Sequence, residues 1–419
     1  MPHSLSTSSQ PAAGRSGSRI LRRAVLAALP LVLAAPLPSF ALFGDRVELF
    51  AAENVTWDSN VFRLSKDLGP VTRDEYYTTS LGVNANIPYS LQRFVASYTY
   101  FATRYHKTTD LDFNGHTAHA GWFWSLTPRA TGELAYDDTR SLASFTQYVG
   151  SARTRDVLDT QMFYGNGAWY VVPSWRVHGA ASISEQTHSD PTRQLYNLRT
   201  TNGEAGVSYV TAQDNRVGLA VRAERGESTD TNTAIGEPDF SYRQFGGGVV
   251  VHYAITGHSM LDGRVEYTRR EYDDESFRSF GGPTLRFQHT WNPTVKTQVV
   301  TTLRDEISPI QEVQSANFVI VKGITVKPQW LVTEKITLGG DLEYNNWHYK
   351  GAVPAGGTGP TGPAGDYENR VRTVGLTGSW KPTQHIFLVA NYLHERRTSS
   401  LPAQDYTVDV FSIEGRISF

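Results

Sequence analysis

The last nine residues of the chain, Phe411-Ser412-Ile413-Glu414-Gly415-Arg416-Ile417-Ser418-Phe419, alternate between two kinds of side chain. The odd-numbered positions are mainly apolar, and the even-numbered positions carry serine, glutamate and arginine. Successive side chains of a β-strand point to opposite faces of the sheet. The stretch therefore predicts a strand with one oily face and one polar face.

The same alternation recurs in other long segments. Residues Thr79, Leu81, Val83, Ala85 and Ile87 share one face, and small or polar residues fill the positions between them. Similar segments cover 93–102, 261–268 and 336–345, whereas the register of 317–326 is blurred. Sandwich strands usually have about 5 to 6 residues, and a strand that crosses a bilayer needs about 9 to 11. The pattern favours membrane-crossing strands.

Composition excludes several other classes of protein. The 419 residues include no cysteine, so disulfides, thiolate zinc sites and a cysteine nucleophile are excluded. A formal charge of −2 provides no basic field for nucleic acid. Aromatic residues make up 12% of a chain whose mean hydropathy is only −0.37. This combination is unlike a helical membrane protein and is typical of a barrel with one oily face.

The first 41 residues have the form of a signal peptide. Four arginines precede an apolar run over 24–35, and Ser39-Phe40-Ala41 provides small residues at the two positions that a signal peptidase recognises. The alternative, an anchoring helix, is disfavoured because the run is short and three prolines follow or interrupt it. We predict a signal peptide over 1–41 and one domain over 42–419.

Turn signals divide the remaining chain into pairs of strands. Eight short ones recur at intervals of roughly 36 to 49 residues, which suits two long strands and one longer loop per interval. Longer polar stretches near 58–74, 141–155, 228–238 and 351–366 are expected on the opposite rim. The prediction is an all-β, antiparallel, up-and-down transmembrane barrel of 18 strands, with 16 possible, and with both termini periplasmic. The eight turns are Pro88-Tyr89-Ser90, Thr127-Pro128-Arg129, Pro173-Ser174, Gln213-Asp214-Asn215, Thr256-Gly257-His258, Asn292-Pro293, Thr333-Glu334 and Lys381-Pro382-Thr383.

Seven tryptophans are predicted at or near strand ends, where an amphipathic ring sits at the level of the lipid headgroups. They are Trp57, Trp122, Trp124, Trp169, Trp291, Trp330 and Trp380.

Two short motifs carry a family resemblance. The C-terminal pattern, with Phe411, Ile413, Ile417 and the final Phe419, resembles the signature that the assembly machinery of outer-membrane barrels reads. The stretch that includes Asp58, Ser59, Asn60, Phe62 and Arg63 resembles the opening motif of β-barrel porins encoded with exopolysaccharide operons, the EpsL type. Turn chemistry is an alternative explanation of this second motif, because Asp58 and Asn60 can bond their own backbone and Arg63 can pair with an acid nearby.

The resemblance implies a pore in the outer membrane of a Gram-negative bacterium that exports an extracellular polysaccharide. The implied partners are outer-membrane lipid and lipopolysaccharide, the polysaccharide, the barrel assembly machinery, and periplasmic or inner-membrane export components. A general or solute-specific diffusion porin, with a long third loop folded into the lumen, is the alternative. A barrel enzyme or adhesin is a third possibility.

No convincing catalytic or metal site emerges from the sequence, and no cofactor is predicted. His116 and His119 would point to opposite faces of a strand and could not share an ion. His258-Ser259 falls in a predicted turn without a placed acid. We expect Asp137-Asp138 and Asp273-Asp274-Glu275 to be solvated groups in outer loops, and 359–365 to be a flexible loop.

The predicted lumen carries charges of both signs. The alternation places Arg222, Arg264 and Arg286 near mid-height, with Glu266, Asp341 and Glu343 at a similar depth. Facing rows of opposite charge would orient water and bind hydroxyl groups of a passing solute. The alternative is that these charges pair with one another and brace the wall.

Overall fold

In the computed structural model the chain forms a closed antiparallel barrel of 18 strands. The model describes residues 46–147, 153–230, 239–273, 279–308, 318–350, 366–401 and 403–419. The predicted signal peptide and the loop over 359–365 lie outside these residues. The strands are β1 (Val47–Asp58), β2 (Asp74–Tyr89), β3 (Gln92–Tyr105), β4 (Phe113–Thr127), β5 (Ala130–Leu142), β6 (Val157–Val172), β7 (Trp175–His188), β8 (Leu198–Val210), β9 (Arg216–Ser228), β10 (Tyr242–Thr256), β11 (Ser259–Tyr272), β12 (Phe280–Thr294), β13 (Thr297–Ser308), β14 (Phe318–Leu331), β15 (Ile336–Lys350), β16 (Tyr367–Trp380), β17 (Ile386–Ser399) and β18 (Tyr406–Ser418).

Each strand pairs with the next one in the chain, and β18 pairs with β1 to close the ring. Closure satisfies the backbone groups that an edge strand would leave unpaired. The seam has a defined register, with Trp57 opposite Phe411 and Val55 opposite Ile413. The two aromatic rings stack with their centroids 5.6 Å apart. The predicted fold and its preferred strand count are therefore confirmed.

The two rims differ in the length of their connections. Eight connections have two to five residues, and nine have six to sixteen. Seven of the predicted tight turns lie at the short connections, whereas Asn292-Pro293 still belongs to β12 and its turn follows at 295–296. The start of β1 and the end of β18 lie on the short-turn rim, as the alternation of rims requires. That this rim is periplasmic stays a prediction.

The oily face of each strand points outward. Leu81 in β2, Tyr267 in β11 and Leu376 in β16 are each about 60% exposed on the outer face. The predicted faces of β2, β3, β11, β15 and β18 agree with this arrangement. Trp169, Trp330 and Trp380 lie outside the barrel near the short turns, whereas Trp57 lies near the opposite rim.

The other described elements are four 3-10 turns, at Lys66–Leu68, Thr109–Leu111, Phe145–Gln147 and Gln194–Tyr196. Within the described ranges, no helix has the length and apolar character needed to cross a membrane. One loop prediction was wrong, since Asp137 and Asp138 belong to β5. This strand extends farther toward the long-loop rim than its polar residues suggested. Of the second acidic group, Asp273 directly follows β11, and Asp274 and Glu275 lie outside the described residues.

Candidate functional site: the lumen and its mouth

Three of the predicted lumen residues meet on the inner wall. The carboxylate of Glu266, which is 2% exposed, lies 3.2 Å from Nη2 of Arg222 and 2.9 Å from Nη1 of Arg264. Arg264 also forms a bidentate pair with Glu204, at 2.6 and 2.9 Å. Paired guanidinium and carboxylate groups hold each other in a fixed orientation. The wall therefore presents a rigid patch of both charges at this height.

Glycines allow this contact to span four strands. Gly246 and Gly248 lie on the inner face of β10, where Gly246 is opposite Arg222 and Gly248 is opposite Glu266. A Cβ atom on Gly246 would lie 3.6 Å from Oε2 of Glu266. Because β10 carries no side chain at these two positions, side chains from β11 can pass over it to β9 and β8.

The charged wall continues along β12 to β15. Arg286 pairs with Glu306 at 3.0 Å, Arg304 pairs with Glu343 at 3.0 Å, and Lys327 pairs with Asp341 at 3.2 Å. A recess of about 310 Å³ lies against the inner wall between the cluster around Glu266 and the ion pairs of β12 to β15. Its lining includes Arg222, Arg264, Glu266, Arg286, Arg304 and Glu306.

The predicted residues therefore fall into two neighbouring groups. Glu266 contacts both Arg222 and Arg264. Arg286 and Glu343 belong to pairs farther along the wall, and Asp341 binds Lys327. Sequence reasoning missed the partners Glu204, Arg304 and Glu306. Alternation in the sequence could have placed these residues on the polar faces of β8 and β13. The sequence does not show the register that brings them into contact with the predicted residues.

The Asp58–Arg63 motif forms a compact turn at the long-loop rim. The carboxylate of Asp58 accepts hydrogen bonds from the backbone N–H of Asn60 at 2.8 Å and from Nη1 of Arg63 at 2.8 Å. The Asn60 side chain, in a residue 1% exposed, brackets Leu64 by donating to its carbonyl and accepting from its N–H. The turn chemistry proposed from the sequence is confirmed, and no transport role is needed to explain these groups.

The same motif fastens the loop to its neighbours. Ser59 exchanges hydrogen bonds with Asp409 of β18: its N–H donates to the carbonyl, and its hydroxyl accepts from the N–H. Phe62 packs edge to face against Phe145, with centroids 5.2 Å apart. Phe145 is buried with Val61 and Leu111, so an apolar cluster joins the first three long connections of this rim.

The described parts of the third long connection, residues 143–147 and 153–156, contact other parts of the barrel. Arg397, on the inner face of β17, donates from Nη1 to the carbonyl of Thr146. In the ring of 18 strands, β5 and β17 are six strands apart. Arg153 donates to the carbonyl of Phe62 at 3.0 Å, and Arg155 donates to that of Asp112 at 3.0 Å. Thr146 therefore lies on the inner side of the rim, and Arg153 and Arg155 fasten the end of the connection to the first two long connections.

A buried ionic cluster fixes the base of the third connection. The carboxylate of Asp156, fully buried, contacts Nδ1 of His188 at 2.6 Å, Nη1 of Arg193 at 3.2 Å and the N–H of Asp190 at 3.0 Å. Burial alone would raise the pKa of the Asp156 carboxyl, but the hydrogen bonds and the Arg193 charge outweigh it and lower that pKa. The ionised form is the one that the fold stabilises.

The residues considered for catalysis or metal binding do not converge. His119 faces the lumen and pairs with Asp137 at 2.7 Å, whereas His116 faces outward and lies 3.3 Å from Asp138. The hydroxyl of Ser259 lies 2.7 Å from Nε2 of His289, but the described residues supply no carboxylate to orient that ring. Nor do they contain a group of three or more metal-ligating side chains.

The comparison with protein families identifies the second part of the barrel. Residues 260–419, which cover β11 to β18 almost completely, match the model described as "Putative beta-barrel porin 2". The chain is therefore similar to this family over its last eight strands. The matched stretch contains Arg264, Glu266 and the terminal strand, but not the Asp58–Arg63 motif, so the match does not bear on the association with exopolysaccharide operons. Together with the closed barrel and its oily outer face, it identifies a protein of the Gram-negative outer membrane.

Several solved structures of outer-membrane proteins are similar to this chain at low sequence identity. OpdK from Pseudomonas aeruginosa has 10% identity and a TM-score of 0.48, covering 90% of this chain and 100% of its own. A BenF-like porin from Pseudomonas fluorescens has 9% identity and a TM-score of 0.48, covering 89% and 98%. The alcaligin outer-membrane receptor FauA from Bordetella pertussis has 11% identity and a TM-score of 0.44, covering 88% and 76%. The comparison with curated proteins gave no match.

Proposed function

We propose that this barrel is a passive diffusion pore for small hydrophilic solutes, rather than an exporter of polysaccharide. The observation that carries the proposal is the start of the third long connection, residues 143–147, where Arg397 of the inner face of β17 binds the carbonyl of Thr146 and Phe145 is buried with Val61 and Leu111. A loop folded inward narrows a channel that 18 strands would otherwise leave wide. A narrowed passage suits single small molecules and impedes a polymer.

The charges of the inner wall support the same proposal. The pairs described above balance one another, so the wall combines a local transverse field with little net charge. Such a surface exchanges hydrogen bonds with hydroxyl and amide groups of a solute without trapping it. Neutral and zwitterionic solutes are the class that fits best, with weak discrimination between small cations and anions.

The family resemblance that favoured polysaccharide export gains no independent support. It depends on the Asp58–Arg63 motif, and the contacts of that motif explain its residues as a loop clamp. Export would also require a passage that stays open to a chain of sugars. The absence of catalytic geometry among the described residues gives no reason to prefer an enzyme.

Liposome swelling tests the proposal directly. Liposomes that contain the purified barrel should swell quickly in pentoses and hexoses and slowly in tri- and tetrasaccharides. A deletion strain should keep its surface polysaccharide and take up small solutes more slowly. Swelling that is independent of solute size, or a loss of surface polysaccharide with unchanged solute uptake, would restore the export hypothesis.

A further inference from the structure

Two arginines on the outer face of the barrel differ from the other charged residues there. Arg372 of β16 and Arg396 of β17 are directly opposite each other in the register, and both are exposed. On the outer face, Val374 is the neighbour of Arg372, and His394 followed by Tyr392 lies next to Arg396; Val374 and Tyr392 are exposed. Like charges in directly opposed positions of a sheet repel each other. A bound anion would offset the repulsion between the two guanidinium groups.

Most other arginines on the outer face already have a carboxylate partner. The pairs include Arg225–Glu227 at 2.7 Å, Arg269–Glu271 at 2.5 Å and Arg370–Glu368 at 2.7 Å. Arg104 instead donates to two backbone carbonyls and to Asn114. Within the part of the chain that the structure describes, neither Arg372 nor Arg396 has such a partner.

The acids nearest to this pair are engaged elsewhere. Asp409, on the adjacent strand β18, accepts from the Tyr392 hydroxyl at 2.8 Å and contacts His394 at 2.8 Å. Glu368 is paired with Arg370. Because both carboxylates have other partners, the positive charges of Arg372 and Arg396 are not neutralised by them and face the lipid side of the barrel.

The height of the pair matches the level of lipid headgroups. Arg372 lies opposite Tyr344, and its guanidinium sits 5.9 Å from the centre of that ring. Trp380, at the short-turn end of the same strand, is eight residues away. At about 3.3 Å per residue and a tilt of about 40°, this separates the two levels by roughly 20 Å. Aromatic residues at both levels are typical of the two interfaces of a membrane-spanning barrel.

We propose that Arg372 and Arg396 form a binding site for a phosphate group of lipopolysaccharide in the outer leaflet. Guanidinium groups bind phosphate oxygens in pairs, and two of them side by side can hold one phosphate between them. In the predicted orientation the long-loop rim lies on the extracellular side of the membrane. Arg372 and Arg396 then lie at the level of the outer leaflet, which carries lipopolysaccharide. The site concerns the lipid-facing wall and does not rest on the proposed pore function.

Binding of purified lipopolysaccharide to the detergent-solubilised barrel tests the site. The double variant Arg372→Gln/Arg396→Gln should bind about thirty-fold more weakly, because each arginine near an anionic lipid surface contributes a factor of roughly five. The matched control is Arg225→Gln/Arg269→Gln, which removes two outward arginines that already have acidic partners and should bind as the original protein does. Channel conductance should be unchanged in both variants.

Four probes identify the ligand. Lipopolysaccharide with phosphorylated lipid A should bind, whereas the same material after enzymatic dephosphorylation should lose most of its affinity. Vesicles of phosphatidylglycerol should compete weakly, and inorganic phosphate only at concentrations far above those of the lipid. Equal affinity of the two double variants, equal binding of dephosphorylated material, or equal binding of phosphatidylglycerol would each overturn the assignment.

Discussion

Replacing Phe145 by alanine should release the third long connection from the mouth of the barrel. The ring is 5% exposed and packs against Phe62 and the cluster of Val61 and Leu111. Removing a buried phenylalanine ring costs about 3 to 5 kcal/mol. The backbone hydrogen bonds of the wall are untouched, so most of this loss falls on the docking of the connection. A change of about 3 kcal/mol shifts the docked and released populations by roughly a hundredfold.

Single-channel recording in planar bilayers measures the consequence. Phe145→Ala should give a larger conductance and more frequent transitions between levels than the original protein. Phe163→Ala is the matched control, since Phe163 is 52% exposed on the outer face of β6 and its loss should leave conductance unchanged. Both variants should keep the heat-modifiable mobility of a folded barrel in gels. An unaltered conductance for a folded Phe145→Ala protein would refute the idea that this connection narrows the passage.

Further predictions concern the charged wall and the rim. Glu266→Gln removes the carboxylate shared by two arginines and should move the reversal potential in a KCl gradient toward anion preference. Arg264→Gln should move the reversal potential toward cation preference. The control Arg269→Gln, on the outer face of the same strand, should leave it unchanged. Asn60→Ala leaves buried backbone groups without partners, which costs about 1 to 3 kcal/mol, and should make the rim cleavable by protease while the barrel stays folded. Because the pKa of Asp156 is lowered in the folded protein, its stabilising contribution is present above the usual carboxyl range and is lost as pH falls through that lowered value. Protease resistance of the third connection should therefore hold from pH 7 to about 4 and fall below it. Asp156→Asn should weaken resistance at neutral pH and reduce this dependence, of which Asp190, whose pKa is also lowered, keeps a part.

The fold could be predicted because its signals are local. Alternation within each strand and the spacing of the short turns set the strand count, and neither depends on how distant segments meet. The error at Asp137 and Asp138 has a local cause as well: two adjacent acids resemble a loop, although one faces the lumen and pairs with His119 while the other faces outward near His116. Polarity by itself does not mark where a strand of a barrel ends.

The candidate site could be predicted only in part, because its contacts depend on closure and register. The alternation of β11 predicts that Arg264 lies on the inner face of the barrel. Its partner Glu204, however, lies 60 residues away, across two strands. That contact passes over the inner face of β10, where Gly246 and Gly248 carry no side chain, and no periodicity reveals it. At the rim, the local sequence predicts that Arg63 pairs with a nearby acid, which the structure shows to be Asp58, whereas the contact of Arg397 with the third connection exists only once the ring has closed.

The measurement that tests the account most directly is the chemical accessibility of introduced cysteines, since the chain has none of its own. Arg286→Cys places a thiol on the inner wall, and Val265→Cys places one on the outer face of the neighbouring strand β11 at a similar height. In intact outer membranes, a charged and membrane-impermeant thiol reagent should modify residue 286 rapidly and change the conductance of the purified pore, while residue 265 should stay protected by lipid. Protection of residue 286 together with modification of residue 265 would contradict a water-filled lumen enclosed by a lipid-facing wall.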